Sequence, residues 1–155
     1  MQELVVQKER ALWRIPSNRQ WWALFRKAKQ YIRFPKHLAI TVGVVGDTTM
    51  KRLNSIYRGK QKTTDVLSFN YTSSAKTKIQ THRLEGDIII CFPQARRQAR
   101  VIGNTIPEEL SFLFVHGLLH LLGYDHEKSR AEERRMFALQ DKILGRRGRP
   151  NLSDE

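Results

Sequence analysis

The sequence predicts an α+β domain with four strands and about five helices. Three observations carry that prediction. Apolar side chains alternate every second residue in places, most clearly at Leu38, Ile40, Val42 and Val44, which is strand spacing. Helix starts are marked by capping boxes at Ser17-Asn-Arg-Gln20, Thr105-Ile-Pro-Glu108 and Ser129-Arg-Ala-Glu132. Strand-like and helix-like stretches also fail to alternate strictly, which argues against a repeated strand–helix architecture.

In chain order, Glu3 to Gln7, centred on Leu-Val-Val, reads as a short strand. The Ser17 box opens an amphipathic helix that ends before Pro35. Its apolar side carries Trp21, Leu24, Phe25, Ala28, Tyr31 and Ile32, and its other side Arg19, Arg26, Lys27 and Lys29. That aromatic spacing fits a core stripe better than a base-stacking platform. His37 to Val45 is the next strand, and His37 itself is assigned no role. Asp47 is placed to cap a helix with Met50, Leu53 and Ile56 on one side, ending near Gly59.

A basic loop, Arg58-Gly-Lys-Gln-Lys62, is followed by Thr63-Thr-Asp65 and the strand Val66 to Tyr71. Ser73 to Arg83 is polar and aperiodic and is expected to be a mobile excursion between strands, with His82 at the surface. Gly86-Asp87 then opens Ile88-Ile-Ile-Cys91, whose unbroken apolarity predicts a central strand buried on both faces. Pro93 starts a helix bearing Arg96, Arg97 and Arg100. The Thr105 box launches the helix that carries His116 and His120. The Ser129 box launches a last helix with Met136, Leu139 and Ile143 inward and Gly145 at its end. Residues 1–145 thus read as one domain, and 146–155 as a loose basic tail.

Composition narrows the function. A chain of 155 residues supports one sizeable core. Lys and Arg number 28 against 15 Asp and Glu, a net charge of +13 that opposes compaction unless an anionic partner is met. Nucleic acid is the first such partner to consider and a membrane surface the second, with a merely well-solvated surface as the bland alternative. No run approaches the ~18 apolar residues of a spanning helix, and Met1 to Arg10 lacks the pattern of a signal peptide. The single cysteine, Cys91, excludes an intramolecular disulfide and reads as a buried inert thiol, with the cytosol as the default compartment.

Chemistry concentrates in His116-Gly-Leu-Leu-His120-Leu-Leu-Gly123-Tyr-Asp-His126. Histidines four residues apart on a helix lie about 40° apart around its axis and leave one face together. Gly123 can end the helix in a left-handed conformation and turn His126 back towards that face. Three convergent imidazoles match a Zn²⁺ site with three protein ligands and an open fourth position, the catalytic arrangement. The alternative is a set of packing histidines. The stretch Leu110 to Leu122 is apolar nearly all round, however, and burying an unpaired polar group there costs roughly 1–3 kcal/mol. The same ligand spacing occurs in metzincin peptidases, whose second motif position is a general-base Glu. Here that position is Gly117, which cannot move a proton.

Together these residues resemble the YbeY-type metal-dependent endoribonucleases. Three blocks carry the resemblance, from Leu53 to Leu144. They are Leu53-Asn-x-x-Tyr57-Arg58-Gly-Lys60 with Thr64-Asp65-Val-Leu-Ser-Phe69, then Leu84-x-Gly86-Asp87-Ile88 with Cys91, then the histidine block with Ala131-Glu-Glu. The sequence departs from the family at Gln61 and Thr63, where an acid and a proline are common, and this makes the loop more basic. The resemblance implies a mixed four-stranded sheet with the metal helix packed centrally. It also implies one Zn²⁺ per chain, cleavage of single-stranded RNA in ribosomal RNA maturation and ribosome quality control, and a cytoplasmic location. Precursor ribosomal RNA and the small ribosomal subunit are the expected partners, with no membrane and no DNA sequence recognition. Arg58 is the candidate catalytic residue, as a forked, permanently charged donor to phosphate, or else it only complements a helix dipole. Asp65, Asp87 and Asp125 either orient histidines or cap turns. Lys60, Lys62, Arg96, Arg97 and Arg100 are candidates to track the RNA backbone. Two rivals remain: a metallopeptidase, and a non-catalytic ribosome-assembly factor with a structural metal.

Overall fold

The structure, a computed structural model, describes residues 1–72 and 83–146. Strand β1 (Gln2–Lys8) and helix α1 (Asn18–Tyr31) lead into β2 (His37–Val45) and α2 (Asp47–Arg58). β3 (Val66–Asn70), β4 (Arg83–Cys91) and α3 (Phe92–Ile102) follow, then α4 (Ile106–Leu121) and α5 (Arg130–Leu144). The strands form one sheet in the order β1-β2-β4-β3. β1, β2 and β4 are parallel, and β3 runs antiparallel to β4 at the edge. This is the mixed four-stranded α+β arrangement expected from the resemblance.

Register explains the core. Ile40 lies beside Gly86, Val42 beside Ile88 and Val44 beside Ile90, so one face of the sheet is a continuous apolar surface. On that face packs α4, with Leu110, Leu113, Phe114, Leu118 and Leu119 all buried, and α1, α3 and α5 close around it. Helix and sheet meet closely because two glycines leave room. A Cβ on Gly117 would stand 2.7 Å from Ile88 Cγ2, and one on Gly86 would stand 3.0 Å from Leu121 Cδ2 of α4. The Ser68 hydroxyl donates to the Gly117 carbonyl at 3.2 Å, tying helix to edge strand.

Helix starts follow the capping logic. Ser17 Oγ accepts from Gln20 N and Gln20 Oε1 from Ser17 N, and Thr105 and Glu108 repeat the exchange. At Ser129 only the forward bond forms, from Glu132 N at 3.1 Å.

Several expectations are corrected. Gly46 is the cap residue of α2, and Asp47 instead accepts from Arg97, Cys91 and Thr63, partners far away in sequence. Ile56 is exposed, and the inward side of α2 is Met50, Leu53 and the polar Asn54. Tyr31, at the frayed end of α1, is exposed too. β4 begins at Arg83 and not at Gly86. Its burial alternates because α2 covers the second face of the sheet only in part, so the strand is central but not buried on both faces. Arg146, placed by the sequence in the tail, binds the Glu108 carboxylate and donates to Asn104 Oδ1 at 3.3 Å. Of the excursion expected over Ser73 to Arg83, Arg83 belongs to β4, and residues 73–82, like the rest of the tail, 147–155, lie outside the described residues. No helix among the described residues is long and apolar enough to cross a membrane.

Candidate metal centre

His116 and His120 leave the same side of α4, one turn apart, as the helical period requires. After the C-cap at Leu122, Gly123 adopts φ 97, a conformation that costs glycine little. The reversal brings His126 back over the helix end. The three imidazoles form a nearly equilateral group, with ring centroids 4.7, 5.3 and 5.2 Å apart. One nitrogen from each lies within 4.8 Å of the others.

Two further observations fit a cation. His116 Nδ1 stands 2.9 Å from Gln140 Oε1. A carboxamide oxygen only accepts, so Nδ1 carries the proton and Nε2 is left as a lone pair. That Nε2 faces His120 Nε2 at 3.1 Å, close to the ~3.3 Å separation of two ligands on a tetrahedral Zn²⁺ with 2.0–2.1 Å bonds. His126 Nδ1, meanwhile, is buried with no hydrogen-bond partner among the described residues, the condition that a bound ion relieves or that an empty core would not tolerate.

Electrostatics agree. Burial above all, then the charges of His126 and Arg58, hold His120 below the usual imidazole range, against the opposing pull of Asp125 and Glu127. A neutral imidazole is the form that binds metal. Arg58, whose charge adds to this lowering at His120, is the exposed last residue of α2.

The remaining candidates scatter. Asp65 accepts from Val66 N and from Gln98 Nε2, Asp87 from the Tyr71 hydroxyl, and Asp125 from Glu127 N across a turn. None of these contacts is to a histidine ring, although the Asp125 charge is felt at His120. Lys60 and Lys62 are exposed in the loop after α2, and Arg96 and Arg100 are exposed on α3. Arg97 grips Asp47 with two nitrogens, at 3.0 and 2.7 Å. Cys91 is buried, its thiol pushed up to about 11 chiefly by desolvation, as an inert thiol should be.

The residue missed by the sequence is Gln140, 1% exposed on α5. A signal existed: it interrupts the inward stripe of Met136, Leu139 and Ile143 with a polar group. Phe112, stacked 6.0 Å from His116, and Phe137, 6.4 Å from His126, complete an apolar surround that was likewise unforeseen.

Comparison with known proteins gives the same direction. The family model described as Endoribonuclease YbeY matches residues 7–148. A Persephonella marina protein named Endoribonuclease YbeY is 45% identical over 108 residues, covering 70% of this chain and 69% of its own. One of the same name from Geobacillus thermodenitrificans is 42% identical over 130 residues, covering 81% and 83%. The solution structure of a Thermotoga maritima protein aligns with a TM-score of 0.56 over 94% of this chain and 90% of that one, at 24% identity, a likeness of fold.

Proposed function

The chain belongs to the YbeY endoribonuclease family, and on that premise we propose that it is a zinc-dependent endoribonuclease that cuts single-stranded RNA. Its place is the maturation and quality control of ribosomal RNA in the cytoplasm, with precursor ribosomal RNA and the small ribosomal subunit as partners. The observation that carries this reading is the convergence of three imidazoles, one nitrogen of each within 4.8 Å of the others, in a chain of this family.

His116, His120 and His126 would hold the ion, with Gln140 fixing the tautomer of His116 through its Nδ1–H. When bound, Zn²⁺ supplies Lewis acidity, which brings the pKa of water from 15.7 towards about 7 and polarises a phosphoryl oxygen. The chain's own part is to place charge where charge develops. Cleaving a phosphodiester passes through an anionic, five-coordinate phosphorus. Arg58 offers it forked donors that stay protonated and need little reorganisation. Lys60 and Lys62, exposed in the next residues, suit the flanking phosphates. Phe112 and Phe137 lower the local polarity around the imidazoles, which strengthens each of these interactions.

The packing of α4 speaks against the peptidase alternative. Position 117, where a peptidase carries its Glu, points into the sheet against Ile88 and Ser68 and has no space for a side chain. Metal analysis combined with cleavage of a labelled single-stranded RNA tests the proposal. Wild type should carry about one Zn²⁺ per chain and cleave, and His120→Ala should lose both properties. A folded, zinc-loaded wild type that cleaves no RNA would favour the assembly-factor alternative.

A further inference from the structure

We propose that Tyr57, braced by Phe69 and accompanied by Tyr71, is a base-stacking platform for the RNA strand whose phosphate meets Arg58. The proposal rests on the ribonuclease reading and adds to it how the strand is held.

Tyr57 is 64% exposed and Tyr71 65% exposed, an unusual place for two aromatic rings. Neither hangs loose. The Tyr57 ring stands edge-on to Phe69 at 5.0 Å, and Phe69 is packed against the small core of Met50, Leu67 and Cys91. The Tyr71 hydroxyl donates to Asp87 Oδ2 at 2.6 Å. That bond, burial and the charges of Asp87 and Tyr57 push the phenol up to about 12, so it stays neutral. Rings already held in place lose little freedom when a base stacks on them.

Their position relative to the histidines is specific. Ser68 points to α4, where its hydroxyl meets Gly117. By strand alternation Phe69 points to the opposite face, and Tyr71, just past the strand, reaches Asp87, the register partner of Phe69. β3 is the edge strand of the sheet among the described residues, with the rings on one of its faces and α4, which carries the histidines, on the other. Arg58 follows Tyr57 directly as the last residue of α2, and Ser68, next to Phe69, contacts Gly117, the neighbour of His116. A single strand bending over that edge would present a phosphate to Arg58 and the adjoining base to Tyr57.

The charge nearby favours nucleic acid over protein as the occupant. Arg52, Arg58, Lys60 and Lys62 are exposed and have no ion-pair partner among the described residues. The acids on the same face are already engaged, Asp87 by Tyr71 and Glu85 by Arg83. Base–aromatic stacking beside a cationic track is how single strands are held without sequence readout.

The test compares wild type, Tyr57→Phe and Tyr57→Ala, each zinc-loaded, in binding a fluorescent 2′-O-methyl phosphorothioate strand that resists cleavage. A matched strand lacking bases over its central nucleotides serves as the second probe. Tyr57→Phe should bind like wild type. Tyr57→Ala should bind the complete strand about 5- to 150-fold more weakly, the range of one stacked base. It should bind the abasic strand no worse than wild type does, and its salt dependence should be unchanged because tyrosine releases no counterion. The platform is wrong if Tyr57→Ala binds the complete strand normally, which would leave the patch as a protein-docking surface. It is equally wrong if the loss persists on the abasic strand, or if Tyr57→Phe is as weak as Tyr57→Ala. A parallel cleavage assay separates the two claims. Cleavage by wild type with normal binding by Tyr57→Ala overturns only the platform, whereas zinc-loaded wild type that neither binds nor cleaves RNA overturns both.

Discussion

The histidine face of α4 and the rim from Tyr57 to Lys62 serve one candidate site, yet they are held in opposite ways. α4 is surrounded by the sheet and three helices, and its side chains are set by packing. On the rim the side chains are exposed and the backbone is what is anchored. Gly59 turns with φ 66, Lys60 N donates to Asn54 O at 3.3 Å, and the buried Asn54 amide donates to Lys62 O at 2.8 Å. Thr63 continues the anchoring by donating to Asp47 at 3.3 Å. The groups that converge to hold one ion are half-buried, set on a helix whose other faces are packed in the core. Exposed groups proposed to meet a variable, hydrated polymer sit on an anchored backbone. The difference follows from the chemistry each does: ligand geometry tolerates little error, whereas phosphate attraction acts over several ångströms.

The comparison can be broken most severely at Gly117. Gly117→Glu would drive a carboxylate into the contact with Ile88 and Ser68, where overpacking and desolvation act together. The loss of stability should exceed ~4 kcal/mol, the range reserved for severe core disruption. Gly117→Ala isolates the steric part and should cost about 1–3 kcal/mol. Urea denaturation measures both, and wild-type stability in Gly117→Glu would mean that α4 is not pressed on the sheet as described. A finer comparison concerns Gln140. Gln140→Leu removes the acceptor that fixes His116 and should weaken metal binding by roughly 10–100-fold while the protein stays folded. Competition against a chromophoric chelator reads this out. Unchanged affinity would show that packing alone orients the ring.

The core half of the site was far more legible in the sequence than its supports. His116, His120 and His126 announce themselves because helical period and a terminating glycine are local properties, set within eleven residues. Capping boxes are local in the same sense, and two of the three close as expected. Gln140 could not be paired with His116 in advance, since their contact depends on how α5 crosses α4. Asp47 looked like a helix cap because its sequence neighbourhood fits one. Its actual partner, Arg97, arrives only when β4 and α3 are in place. Period alone sets Ile56 inward, but α2 covers the second face of the sheet only in part, through Met50, Leu53 and Asn54, and leaves Ile56 exposed. The rim was legible only as a basic loop, Arg58 to Lys62, because exposed residues carry no periodicity; singling out Arg58 within it took the family resemblance.

Whether core and rim act as one centre is tested most directly by Arg58→Ala, measured as zinc content and as single-turnover cleavage of single-stranded RNA at saturating protein. Saturation separates chemistry from weakened binding. The variant should keep its fold and its metal, because Arg58 is exposed and outside the ligand set. Its cleavage rate should fall about 10²–10³-fold, the ~2.7–4 kcal/mol of one donor to a developing oxyanion. Arg58→Lys should recover only part of the rate, since a point charge lacks the planar fork. Cleavage by Arg58→Ala at the wild-type rate, with zinc retained, would contradict the account.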